Sequence, residues 1–530
     1  MQLVWIRSYI TCMMICDATG AVKQGSMRAR QPQPPPVPAP KPKRRRRAPA
    51  PTAYFAAAAA IAAVSALPFF RRQGGGEVSG RGCPGLEAWG RSCFSESYPE
   101  AREKFRSATA AASAAASAAA SAAASAAAST ASAAGDELDI ESHVLEVAPA
   151  FTMDVAVVRG KGPGLVVHTS GLHGVEGYAG SAVQVAYLRR LAEERAERAA
   201  AGAAAGAAAA SPTVVLFHAV NPHGMAHFRR CNENNVDLNR NALRTDEWDD
   251  VLLRRDPNLA GYDDFDLGLF NPPRPPTAAD AYCTYFLRAA WAVARHGFVA
   301  MKRAIVSGQY HRPGGISFGG RELQPSHRLL RDFLIDGGFA TPGVGPITWI
   351  DVHTGLGPPG VDTLLAHGTR PDEEGNGEAE GGHEGRADRW FPDAPRQVQY
   401  FFGQDSGGGD GESDGYATGG PDDVSAGYDL TMGILNGYYA ALFEERAGPA
   451  SRPLVVAQEF GTVPAVLVAR ALILENMAHH HSPPAERAYW ATFSRDAFYV
   501  RTDEWRESVL RRGLTVLEQA IHRSSLPVIE

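Results

Sequence analysis

The chain has 530 residues, 45% of them hydrophobic and 21% charged, with a formal net charge of −6. That length exceeds one ordinary domain, but long alanine, glycine and proline tracts reduce it to one enzyme-sized fold with tails and insertions. Residues 1–80 hold 12 Lys/Arg against Asp17 and Glu77, a formal +10, which leaves −16 on the remainder. A basic tail on an acidic body excludes a nucleic-acid-binding enzyme core.

The first 51 residues include QPQPPPVPAPKPKRRRRAPAP. Proline at this density favours an extended, solvated chain. The basic run at 41–47 reads as a solvated patch, with nuclear targeting or contact with anionic lipid as its sharper uses. An uncharged, alanine-rich stretch follows at 52–70, flanked by arginines. At ~1.5 Å per residue it just spans a ~30 Å hydrocarbon core. It reads as a membrane anchor or, with its acid-poor leader, as an organelle-targeting segment, an alanine-rich tail being the third reading. Residues 1–91 thus form a leader, and the expected location is membrane-anchored or organelle-targeted. Cys12, Cys16, Cys83, Cys93, Cys231 and Cys283 show no CxxC spacing, which argues against a zinc ribbon. They read as independent thiols, with a Cys83–Cys93 disulfide as the alternative in an oxidising compartment.

Residues 92–107 predict an amphipathic helix and the start of one folded domain, 92–526. Three low-complexity insertions interrupt it. The Ser-Ala repeat at 110–134 favours helix but offers nothing to bury a core. The others are an Ala/Gly tract at 199–210 and a Gly- and acid-rich segment at 370–422, with an ordered island expected at 390–402. What remains alternates. Strand-like runs occupy 155–158, 165–169, 213–220, 347–353 and 454–460. Helix-like runs occupy 181–198, 278–295, 326–336, 429–445, 463–479 and 501–522. Apolar, β-branched strands alternating with helices predict an α/β fold, a mixed, mostly parallel sheet covered by helices on both faces. The notable polar residues sit at strand ends, the edge where open α/β sheets bind ligands.

Four stretches carry chemistry: HGVE at 173–176, NPHG at 221–224 with RRCNENNVDLNRN at 229–241, DVHTG at 351–355 and QEFGT at 458–462. His173, Glu176 and His353 make a two-histidine, one-carboxylate set, which one zinc ion accepts while keeping a fourth position for water. Asp351, two residues before His353, shares its strand face and is placed to orient it. Glu459 ends an apolar strand and suits a general base that later acts as acid. Arg230 can stabilise an oxyanion, and Asn239 with Arg240 can hold a substrate carboxylate. Each has a bland alternative: Arg240 pairs with Asp237, Glu459 caps the next helix, Asn221-Pro-His-Gly is a turn. The bland readings fail together, because the set supplies ligands, base, oxyanion donor and clamp at once. His479–His481 point in different directions at a helix end and read as a solvated terminus.

These motifs, in this order, resemble the zinc metallocarboxypeptidases of the carboxypeptidase A clan. The closest likeness is to a branch of that clan known as a domain of unknown function, which CFSESYPEAREKF and TSGLHGVEGYAGSAVQ also resemble. The resemblance covers roughly 92–525. It implies one zinc ion on His173, Glu176 and His353, with Glu459 as catalytic glutamate. It further implies Asn239 and Arg240 on the substrate's terminal carboxylate and Arg230, or its neighbour Arg229, on the attacked carbonyl. His223 stands where the family turn has an aspartate. Tyr310 is a lid candidate whose plainer reading is a packed loop aromatic. The expected activity is hydrolysis of an amide next to a free carboxylate, on a peptide. The alternatives are an N-acyl amino acid deacylase like aspartoacylase or succinylglutamate desuccinylase, and an inert, membrane-tethered binding protein attached through 52–70.

Overall fold

The computed structural model describes residues 86–127, 140–201, 211–367, 390–391, 399–401 and 430–526. The 52–70 stretch, with the rest of the leader through residue 85, lies outside the described residues. Among the described residues no helix is long and apolar enough to cross a membrane.

The elements run α1 (Leu86–Cys93), α2 (Tyr98–Ala127), β1 (Ile140–Ala148), β2 (Phe151–Val158), β3 (Leu165–Ser170), α3 (Gly177–Ala200), β4 (Thr213–His218), α4 (Pro222–His227) and α5 (Thr245–Asp249). They continue with α6 (Tyr285–His296), α7 (Phe298–Val306), α8 (Pro325–Asp336), β5 (Ile347–Gly355), β6 (Asp362–His367) and β7 (Gln399–Phe401). The chain closes with α9 (Leu435–Ala447), β8 (Leu454–Gly461), α10 (Ala465–His481), α11 (Pro484–Phe498) and α12 (Asp503–Ser525).

One eight-stranded sheet, ordered β1-β2-β4-β3-β5-β8-β6-β7, organises the fold. Its centre, β4-β3-β5-β8, is parallel. The pairs β1–β2, β2–β4 and β8–β6 are antiparallel. The central strands are buried almost throughout because both faces are covered, yet the period of two still sorts their side chains. Ala156, Val158, Val166 and Ile350 enter a core with Phe105, Tyr178, Ala182, Leu510 and Leu517 of α2, α3 and α12. Val155, Val157, Val167 and Trp349 enter the opposite core with Leu330, Tyr439 and Phe443 of α8 and α9.

The topology chooses where ligands bind. After β3 the chain returns through α3 to β4 on one side, then crosses to β5 on the other. The carboxyl ends of β3 and β5 therefore flank a switch in strand order, the crevice where open α/β sheets place ligands. Three of the low-complexity boundaries attach elsewhere. β4 begins at that sheet's opposite edge, where β1 also begins and β6 ends, since Ile140 pairs with Val158, Val158 with Val214, and Ala366 with Val456.

Differences from the sequence reading have physical causes. The repeat at 110–134 does contribute to a core. α2 continues into it, and Ala108, Ala112 and Ala116 are buried at helical spacing. An alanine face lets α2 approach α3 closely, which no large side chain would allow. β1 was not expected, because Glu141, Ser142, His143 and Glu146 break up its apolar residues on both faces. The island expected at 390–402 contributes the buried Phe391 and β7, while most of 370–422 lies outside the described residues. The fourth helix-like run, expected at 429–445, begins only at Leu435.

Candidate metal centre

β3 ends at Ser170, and the turn after it is built on glycine. Gly171 has φ +69°, a left-handed conformation that L side chains rarely adopt. A Cβ on Gly174 would lie 2.1 Å from the Gly224 carbonyl carbon. The closeness lets α4 brace the 174–176 turn, which delivers His173 and Glu176 before α3 starts at Gly177. Asn221 caps α4 by accepting from the Gly224 N–H at 2.8 Å, with Pro222 at the first helical position. The expected turn is thus a short capped helix. His223 packs against His227 and Phe151.

β5 carries His353 opposite Glu459 of β8. His173, Glu176 and His353 converge, 3%, 2% and 3% exposed, with ligand atoms within 4.8 Å of one another. His173 Nδ1 lies 3.0 Å from Glu176 Oε1. His353 Nδ1 lies 3.1 Å from Glu176 Oε2 and 3.2 Å from His173 Nδ1. Each outer nitrogen meets a carboxylate: His173 Nε2 with Asp237 Oδ1 at 3.1 Å, His353 Nε2 with Asp351 Oδ2 at 2.7 Å. An Nε2 that donates its hydrogen leaves a lone pair on Nδ1. Two lone pairs and a carboxylate then face one buried point, a surplus of acceptors that only a cation or a proton relieves. The donor set therefore fits a divalent metal ion, with both histidines oriented by carboxylates.

The electrostatics agree. Burial opposes ionisation of Glu176, but His173 and His353 hold its carboxyl below the usual range. Burial likewise opposes charge on His353, yet Asp351 and Glu176 raise it well above the ordinary imidazole. Without a cation, a proton on His353 fills the gap, so metal binding must release it. Glu459, half-buried, accepts the Leu356 N–H at 2.8 Å. Burial, then the charge of Glu176, pushes its carboxyl up to about 7.

The two adjacent arginines separate cleanly. Arg229 turns into the protein, donating to Glu475 Oε1 and Asn235 Oδ1, each at 2.7 Å. Arg230 turns to the cluster, donating from Nε to Asp237 Oδ2 at 2.9 Å and from Nη1 to Glu176 Oε1 at 3.1 Å. Asp237 was read only as a bland partner of Arg240. It joins His173 to Arg230 and also caps the 238–240 turn through the Asn239 N–H. The signal lay in the motif, a carboxylate seven residues after Arg230. Asn239 accepts the Leu435 N–H at 2.9 Å. Arg240 is buried, donating to the Val306 carbonyl at 2.6 Å and to the Asn239 carbonyl, with Gly308 packed on its stem. Tyr310 is the packed aromatic, its hydroxyl on the Arg240 carbonyl at 2.8 Å. His479–His481 end α10, with His480 and His481 exposed.

A family described as "Protein of unknown function (DUF2817)" matches residues 94–389 and 423–512, well over half the chain. The chain belongs to that family. Every residue of the cluster in this DUF2817 protein, and Glu459, falls inside the matched ranges. No curated protein matches the sequence. Among solved structures, it is similar to the product-bound ectoine utilization protein EutE (DoeB) from Ruegeria pomeroyi, at 12% identity and a TM-score of 0.25. That alignment covers 65% of this chain and 66% of the other, just under two thirds of its length, and carries no argument about fold or activity.

Proposed function

We propose that this DUF2817 protein is a zinc-dependent hydrolase of carboxypeptidase type, acting on an amide next to the free carboxylate of a peptide, with N-acyl amino acids as the substrates of the alternative, a deacylase. One observation carries the reading: two imidazole Nδ1 atoms and one carboxylate converge at a buried point beside Glu459 and Arg230. Zinc favours such nitrogen and oxygen donors, and bound there it supplies Lewis acidity that polarises a carbonyl and acidifies water.

The protein's own groups do the rest. Glu459, with its carboxyl near neutrality, takes a proton from the attacking water and delivers it to the leaving nitrogen. Arg230, already aimed at the cluster, places guanidinium N–H groups where the carbonyl oxygen gains charge. Asn239 and Arg240 receive the substrate carboxylate, which replaces the backbone carbonyls that hold Arg240 in the free protein.

The test is turnover by purified, zinc-loaded protein, read as C-terminal amino acid release from peptides against acyl release from N-acyl amino acids. Peptide turnover that disappears in Glu459→Gln, with zinc content unchanged, supports the reading. Acyl release alone replaces it with a deacylase. Stoichiometric zinc without either activity replaces it with a binding protein.

A further inference from the structure

β5 presents Trp349, Asp351 and His353 at alternate positions, hence on one face, and all three are buried. β3 runs beside it with Thr169 directly opposite Asp351. A continuous line of hydrogen bonds joins these residues. The Trp349 indole N–H donates to Thr169 Oγ1 at 2.9 Å. The Thr169 hydroxyl lies 2.7 Å from Asp351 Oδ1. Asp351 Oδ2 meets His353 Nε2 at 2.7 Å.

The direction of each bond is forced. An indole N–H only donates, so Thr169 Oγ1 must accept it. Its single hydroxyl hydrogen is then left for an acceptor. The competing one, the Ile350 carbonyl, is 3.5 Å away, so the carboxylate at 2.7 Å takes it. Both Asp351 oxygens are thereby engaged. The indole is itself fixed, packed on Tyr439 at 4.5 Å between centroids and surrounded by the core that includes Phe443.

We infer that Thr169 and Trp349 are positioning residues of the metal centre, locking Asp351 so that His353 keeps its hydrogen on Nε2 and offers Nδ1 inward. The inference rests on the metal-centre reading above. Thr169→Val keeps the shape and deletes both bonds. Outer partners of metal ligands are worth about 10–100-fold in metal affinity, so Thr169→Val should lose affinity on that scale.

The measurement is zinc affinity by competition with a chromogenic chelator, beside the cobalt-substituted absorption spectrum and the melting temperature of the metal-free protein. Thr169→Ser should restore affinity and spectrum. Trp349→Phe should weaken binding in the same direction by less. In an Asp351→Asn background, Thr169→Val should cost no further affinity, because its effect runs through that carboxylate. Wild-type zinc binding with unchanged affinity in Thr169→Val, or an equal loss in the Asp351→Asn background, overturns the inference. Wild-type protein that binds no zinc overturns the metal-centre reading itself.

Discussion

His173 and His353 present the same atom to the same point, yet unlike structures hold them. His353 stands on a strand, and its support runs through Asp351 and Thr169 into the packed indole of Trp349. His173 stands on a glycine turn, and its support runs through Asp237 to Arg230. That turn is laced to the arginine segment by backbone bonds, Gly174 N–H to the Arg230 carbonyl and Val175 N–H to the Arg229 carbonyl. The strand side therefore orients an imidazole and little else. The loop side ties the orientation of an imidazole to Arg230, the proposed oxyanion donor, because one carboxylate, Asp237, serves both. His327 spans the two, with Nε2 on the Leu238 carbonyl at 2.8 Å and Nδ1 on the Tyr439 hydroxyl at 3.3 Å.

The largest effect should come from a residue outside both supports. Glu459→Gln should lower kcat by about 10²–10⁴-fold, with zinc content unchanged by metal analysis; a loss of zinc would make Glu459 a ligand and redraw the comparison. Next comes the anchor of the loop side. Arg229→Met leaves Glu475 buried without its partner and should lower unfolding free energy by about 3–5 kcal/mol in urea titrations. A change under about 1 kcal/mol would mean that the loop is held by other contacts. The sharpest comparison sets the two carboxylates against each other. Asp351→Asn should weaken zinc binding about 10–100-fold and leave kcat at saturating zinc nearly intact. Asp237→Asn should weaken zinc binding similarly and also lower kcat, since Arg230 loses the carboxylate that holds its Nε and keeps only its other contacts. Equal kcat in both variants would break the distinction.

The last effect is a slope, small for any one histidine over a fraction of a pH unit. Burial keeps His168, His218 and His327 neutral, lowering them to about 4, about 3 and about 4. The unfolded chain, with ordinary imidazoles, takes up protons first as pH falls. Stability contributed by these groups is complete above pH ~6.5 and is lost on acidification towards 4, by about 1.4 kcal/mol per pH unit for each histidine. Denaturation of the metal-free protein between pH 7 and 4.5 measures the slope, and His327→Gln should make it shallower.

What the sequence made legible follows from the same division. Five strands could be read because burial on both faces gives each a run of β-branched and other apolar residues. β1 could not, because polar residues on both its faces imitate a loop. The convergence of His173, Glu176 and His353 beside Glu459 could be read because strand ends deliver them in short motifs. The choice between Arg229 and Arg230 could not, since neighbouring identical side chains are separated only by Glu475, far away in the chain. Thr169 and Trp349 left no trace either: a threonine and a tryptophan in a buried strand look like ordinary core until Asp351 is seen beside them. The alanine repeat concealed its packed face because composition alone does not reveal which alanines meet α3.

The starts of β1 and β4 and the end of β6 lie at the edge away from the cluster, whereas the chain resumes at 430 beside Arg240, and the contrast has a consequence for how such a chain can be altered. Length can accumulate at 128–139, 202–210 and after His367 while the spacings that set the ligands, from His173 to Glu176, Arg230 to Asp237 and Asp351 to His353, stay untouched. Length changes at those three boundaries should leave the cluster's geometry intact. For the same reason, affinity tags, fluorophores or shortened loops can be introduced there without disturbing the chemistry.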